Sequence, residues 1–161
     1  MENLAFKFCY KIPTLNENDV KIYSDQARLS ERRRSPYIIH KKGDEFNQVF
    51  NFILEDSYMI PHLHPEPEMV EKMHLISGSF KLLIFEDNGK VKATYNLDKP
   101  GQRVQVPAHT WHTYIMTSKL TIIYETMMGV YEPKTWKRMP EWAPKENTQE
   151  AKEYLQVLKN T

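Results

Sequence analysis

Between residues 37 and 125 the chain reads as strand after strand, which confines it to an all-β sandwich or barrel. Short runs rich in β-branched and aromatic residues occupy 37–40, 48–54, 58–64, 71–77, 79–85, 91–97, 103–106, 110–117 and 120–125. Turn chemistry separates them. Pro65-Glu66-Pro67-Glu68 loses two backbone donors, and Asp87-Asn88-Gly89 and Lys99-Pro100-Gly101 supply turn conformations. Within 58–64, alternation is expected to bring Tyr58, Ile60, His62 and His64 onto one face.

The flanks have a different texture. Residues 14–28 place Leu15, Val20, Ile22, Tyr23 and Ala27 among polar residues, with Thr14 or Asn16 able to cap a helix and Glu17 or Asp19 suited to its first turn. The Ser30-Glu31-Arg32-Arg33-Arg34-Ser35-Pro36 run then breaks regularity. Residues 127–144, rich in Tyr, Trp and Pro, should wrap irregularly over the barrel. Ala151, Tyr154, Leu155 and Leu158 recur at helical spacing, so a C-terminal helix is expected over about 148–159. The organisation is one domain: lead-in 1–36, barrel 37–126, and wrap with helix 127–161.

Charge excludes some partners. Formal net charge is +1, so no basic excess points to nucleic acid or an anionic membrane surface. No apolar run approaches membrane-spanning length, and the first residues carry no secretory signal pattern. Cys9 is the single cysteine, which rules out an internal disulfide and gives it no assigned chemistry. The expectation is a soluble cytoplasmic protein.

Five of the six histidines fall between His62 and His112. His62 and His64 are two apart, the spacing that lets both imidazoles leave one strand on the same side. With Glu71 and His112 they form a set of three imidazoles and one carboxylate, a donor set suited to Zn, Fe, Mn or Ni. Such a mixed set resembles open, catalytic sites more than closed structural ones. Any one of these histidines alone would be read as an ordinary strand residue.

In these residues the chain resembles the cupins. Glu71, six residues and Gly78 fit the end of their first motif after the His-x-His pair. Gly101, five residues and Pro107-Ala108-His109-Thr110-Trp111-His112 fit the second, with His109 where the family usually has Gly. The gap from His64 to Glu71 is longer than usual, and Glu68 stands as the alternative carboxylate ligand. More narrowly, the chain is similar to the WbuC-type cupin-fold metalloproteins over most of its length. Arg32-Arg33-Arg34 before Ile39-His40, Asn47-Gln48, the stretch Ser57-Tyr58-Met59-Ile60-Pro61-His62-Leu63-His64-Pro65, and Glu141-Trp142-Ala143-Pro144 carry that likeness. It implies a double-stranded β-helix, a jelly roll with short N-terminal and C-terminal helices and one divalent metal in the barrel mouth. It also implies a homodimer formed through edge strands and an association with polysaccharide or O-antigen genes.

Several further residues have both a sharp and a bland reading. His40 is a candidate acid or base at the mouth, or a structural residue. Gln48 and Asn51 fall on opposite strand faces, and the resemblance favours Gln48 as the inward, ligand-orienting one. Tyr114 shares the face of His112 and either offers its hydroxyl to substrate or fills the barrel, as Met116 does. Arg103 would bind a carboxylate or phosphate, or lie on the surface. His109 is a mouth or turn residue, and Glu125 either supports a ligand histidine or ends a strand. His74, at odd spacing from Glu71, should point away from the ligands. The Arg32-Arg33-Arg34 run is a solvated turn, or less commonly an anion-binding lip.

Three functions fit. The first is a metal-dependent enzyme on a small polar metabolite such as a sugar derivative, with isomerase, hydrolase and dioxygenase chemistry all open and His40 or Tyr114 moving protons. The second is a metal-containing binding or sensor module without turnover. The third is a structural metal. An inward acid or base beside the metal favours the first, and a mouth sealed by the 127–144 wrap favours the third.

Overall fold

Alternation along the strands decides the architecture. In the computed structural model, which describes residues 11–161, Asn47, Val49, Asn51 and Ile53 of one strand face inward while Phe50, Phe52 and Leu54 face out. That strand needs cover on both faces, and it receives a barrel on one and a helix on the other.

The elements run α1 (Glu17–Leu29), β1 (Arg34–Ile38), β2 (Phe46–Leu54), β3 (Glu71–Ser77), β4 (Phe80–Phe85), β5 (Val91–Leu97), β6 (Arg103–Val106), β7 (His112–Met116), β8 (Leu120–Met128) and α2 (Gln149–Lys159). Two antiparallel sheets face each other, one in the order β1-β2-β8-β3-β6, the other β5-β4-β7. Met73, Leu75, Leu82, Val104, Met116 and Ile123 fill the space between them. Helix α1 covers the outer face of β2 and β8, where Ala27 meets Phe50, Phe52 and Tyr124. The Tyr23 ring stacks on Tyr37 at 4.4 Å between centroids. Helix α2 covers the outer face of the second sheet with Ala151, Leu155 and Leu158 against Leu83, Phe85 and Ile115. This is the expected single-domain jelly roll with a helix at each end.

Both helices start on side-chain caps. Asn16 Oδ1 accepts from Asp19 N–H at 2.8 Å, and Thr148 Oγ1 accepts from Ala151 N–H at 3.1 Å. Gly78 ends β3 with φ +81°, and a Cβ there would stand 2.5 Å from the Leu120 carbonyl oxygen. Only glycine meets both conditions.

Three expectations need correction. Residues 58–64 are not a strand: His62 and Leu63 make isolated bridges to His112 and Arg138. Pro61 and Pro65, which flank them, have no N–H to extend a ladder. Tyr58 and Ile60 therefore do not share a face with the two histidines. They pack under α2, while Met59 enters the barrel core. The first strand starts at Arg34, inside the run read as irregular, and carries Pro36 on a sheet edge where a missing N–H is tolerated. The last strand runs on to Met128, paired with β2 throughout. Cys9 lies outside the described residues. Among the described residues, no helix is long and apolar enough to cross a membrane.

Candidate metal centre

His62, His64, Glu71 and His112 come together in the barrel. Each offers one ligand atom, and these atoms all lie within 4.8 Å of one another. All four side chains are buried. Three separate pieces of chain deliver them. Glu71 is the first residue of β3, in phase with inward Met73 and Leu75. His112 is the first of β7. The His62–His64 segment is tied alongside it, since the His62 and His112 amides each donate to the other's carbonyl at 2.9 Å, and His109 N–H donates to His64 O at 2.9 Å.

The ring nitrogens are sorted by their backbone partners. His62 Nδ1 meets Ile60 O at 2.9 Å, His64 Nδ1 meets Trp136 O at 2.8 Å, and His112 Nδ1 meets Thr110 O at 2.8 Å. A carbonyl only accepts, so each Nδ1 carries the proton and each Nε2 presents a lone pair. His64 Nε2 and His112 Nε2 then lie 3.2 Å and 2.6 Å from Glu71 Oε2. Lone pairs facing a carboxylate at these distances call for a cation between them, a proton when no metal is bound or a metal ion when one is, and the donor set is one that divalent first-row metals favour. The residues fit a metal.

Charge around the site is uneven. Burial would raise the Glu71 carboxyl, but His112 and His64 outweigh it and hold the group well below the usual range. Burial, then the charge of Lys137, holds His62 well below the usual imidazole range, so it stays a neutral donor. Across the cavity Glu125 moves the other way, pushed well up by burial and by the neighbouring Glu71 charge. Two close carboxyls divide in this way, one ionised and one protonated. Asn51 Nδ2 and Tyr114 Oη both donate to Glu125 Oε2, at 2.9 Å and 3.2 Å. Tyr114 is buried, and burial followed by the charges of Glu125 and Glu71 raises its phenol.

Because the fold favours protonated Glu125, its contribution to stability is full below the ordinary value of 4.5 and is lost as pH rises through the raised one. In chelator-treated protein we expect the melting temperature of wild type to fall, relative to Glu125→Gln, as pH rises from 4.5. Thermal melts of both proteins across pH check this, and parallel curves would refute it.

These groups line a cavity of about 260 Å³. His40 is on its wall, where its Nδ1 lies 2.9 Å from the Gln48 amide nitrogen and 3.0 Å from the Gln48 carbonyl oxygen. Other sequence candidates lie elsewhere. Gln48 faces α1 rather than the cavity, its Oε1 accepting from Tyr124 Oη at 2.7 Å; Asn51 is the inward polar residue of β2. Arg103 lies exposed on the outermost strand of its sheet, its Nε donating to His74 Nδ1 at 3.2 Å, so both residues sit outside the cavity lining. His109 is an exposed turn residue with φ +61°, which accounts for the usual glycine at that position. Glu68 is exposed on the outer surface, whereas Glu71 joins the histidines. Glu125 neither touches a ligand histidine nor ends its strand, which continues three residues further to Met128. Arg34 and Lys137 also line the cavity. For Lys137 the irregular 127–144 segment offered no periodicity by which sequence could have placed it.

A domain family described as being of unknown function, DUF6016, matches residues 15–97, just over half of the 161-residue chain. A search of curated proteins finds no match. Among solved structures, an oxalate decarboxylase is 16% identical with a TM-score of 0.52, over 66% of this chain and 28% of its own. The DMSP lyase DddQ from Ruegeria pomeroyi DSS-3 is 18% identical with a TM-score of 0.52, over 67% of this chain and 53% of its own. The Cnp3 cupin domain of Schizosaccharomyces pombe is 14% identical with a TM-score of 0.47, over 60% of this chain and 65% of its own. The chain spans about a quarter to a half of the first two proteins. At these identities the likeness shows the fold alone, and that fold is the cupin jelly roll.

Proposed function

The chain belongs to the DUF6016 domain family, and from that premise we propose that it is a metal-dependent cupin enzyme acting on a small polar metabolite. His62, His64, Glu71 and His112 would hold one divalent first-row ion. The observation that carries the reading is the sorting of three imidazoles by backbone carbonyls, which leaves each Nε2 free and brings those of His64 and His112 to Glu71. An ion held there supplies Lewis acidity. The chain's own groups supply the rest. Glu125 presents a carboxyl steadied by Asn51 and Tyr114, and His40 presents its imidazole from the wall.

The cavity argues for a ligand-accepting site over a structural metal. His62, His64 and Glu71 are themselves part of its lining, so they border open space rather than close-packed protein. About 260 Å³ suits a molecule of monosaccharide size, in keeping with a sugar derivative. The finer placement among WbuC-type proteins, with its link to polysaccharide metabolism, rests on sequence likeness, chiefly the Arg-rich lead-in and the Glu141-Trp142-Ala143-Pro144 stretch.

Elemental analysis tests the proposal, on protein purified without a chelating resin and beside a His62→Ala/His112→Ala variant. We expect close to one equivalent of a first-row metal in the native protein and almost none in the variant. Native protein that holds no metal after exposure to Zn, Fe, Mn and Ni would refute it. A metal-loaded protein that binds metabolites without converting them would instead be the non-catalytic module.

A further inference from the structure

Lys137 is held directly over the metal ligands by its neighbours on both sides. His64 Nδ1 donates to the carbonyl of Trp136 at 2.8 Å. Arg138 pairs with Leu63, N–H to carbonyl, at 2.9 Å and 3.0 Å. Alternation about that bridge turns Lys137 to the side occupied by His62 and His64. Its side chain lines the cavity with Arg34 and Glu125.

The two inward cations differ in one respect. The charge of Arg34 is already matched by the protein: Nη2 donates to Glu146 Oε1 at 2.5 Å, and Nη1 is shared among Arg32 O, Ser57 Oγ and Tyr58 O at 3.0–3.2 Å. Lys137 Nζ has no hydrogen bond or ion pair among the described residues. Burial and the nearby Arg34 charge both disfavour its cation, and Glu71 and Glu125 offset only part of that. A buried ammonium without a partner is costly unless something else pairs with it.

We propose that Lys137 Nζ anchors a carboxylate group of the ligand, so that the substrate is a small organic acid, such as a sugar acid or hydroxy acid, and not a neutral sugar. The charge argument rests on the metal-centre reading. A divalent ion and Lys137 set against Glu71 and Glu125 leave the cavity positive whatever the state of Glu125. One ammonium, with the Arg34 charge already paired to Glu146, matches a single negative charge. A phosphate dianion would leave acceptor oxygens facing Ile38, Val49 and Met127 on the apolar wall, while a carbon skeleton gains from that wall.

Calorimetry on the full, metal-loaded chain tests this with probes matched in pairs: glucuronate against glucose, lactate against propane-1,2-diol, with inorganic phosphate as a further arm. We expect at least one acid to bind where its neutral twin does not. Lys137→Gln should weaken that binding roughly ten- to a hundredfold, the loss of a charge-assisted hydrogen bond. Lys137→Arg should restore part of it, with metal content the same in all proteins. The proposal is overturned if metal-loaded Lys137→Gln binds the acids as wild type does, if acids and neutral twins are not distinguished, if no acid binds at millimolar concentration, or if phosphate alone binds. Wild type that holds no metal but binds acids through Lys137 would instead overturn the metal reading and keep this one. If Lys137→Gln does not fold, Lys137→Met carries the same comparison.

Discussion

Removing the metal should lower the melting temperature by roughly 10 °C, and replacing Glu71 with Gln should abolish that difference. An ion that binds only the folded chain stabilises it by RT ln(1 + [L]/Kd), about 4 kcal/mol when free ion exceeds Kd a thousandfold. For a chain of this size each kcal/mol moves the midpoint by roughly 2–4 °C. The ligands come from the His62–His64 segment, β3 and β7, so the ion cross-links pieces far apart in sequence. Without it, a carboxylate and three imidazoles remain packed in a site where none is more than 4% exposed. Burying such groups is unfavourable unless they are paired. Scanning calorimetry of purified, chelator-dialysed and reloaded protein reads the effect. Coincident melts of metal-containing and chelated protein would show that the ion does not hold these segments together.

Two of the ligands, Glu71 and His112, were legible because each opens a strand of clear phase, whereas His62 and His64 come together from a segment that forms only isolated bridges. Glu71, Met73 and Leu75 keep phase through β3, and Glu71–Ser77, Val91–Leu97 and Arg103–Val106 are found with the bounds the sequence implied. Where alternation was ambiguous the reading failed. In β2 the large residues Phe50, Phe52 and Leu54 mark the strongest apolar phase, and Gln48 belongs to it. That phase faces α1, so the cavity received Asn47, Val49 and Asn51. No pattern local to one strand distinguishes two faces that are both covered. Lys137 failed for another reason, since its position follows from two backbone pairings made by an aperiodic segment. The corrected stretch 58–64 combines both difficulties, with Tyr58 and Ile60 under α2 and Met59 in the barrel.

The Arg32-Arg33-Arg34 run shows how far burial separates residues that sequence treats alike. Arg33 is partly exposed, with Nε 2.9 Å from Asp56 Oδ2, and Arg32 reaches Glu146 from a largely exposed position. Solvent screens such pairs, so Arg33→Met should change stability by at most about 1 kcal/mol. Arg34 differs in kind, because its side chain is 8% exposed. Its guanidinium joins three pieces of chain: its own strand β1, the Ser57–Tyr58 turn that leads to the metal-binding histidines, and Glu146 just before α2. Arg34→Met keeps much of the volume but strips Ser57 Oγ and Tyr58 O of a donor and Glu146 of its closer cation. Breaking a buried pair on one side costs about 3–5 kcal/mol, a large share of the roughly 5–15 kcal/mol that holds a domain folded. Urea unfolding of the three proteins, each with metal bound, makes the comparison. Arg34→Met with a midpoint close to that of Arg33→Met would mean that this arginine is solvated after all and that the segment before His62 is secured by other contacts.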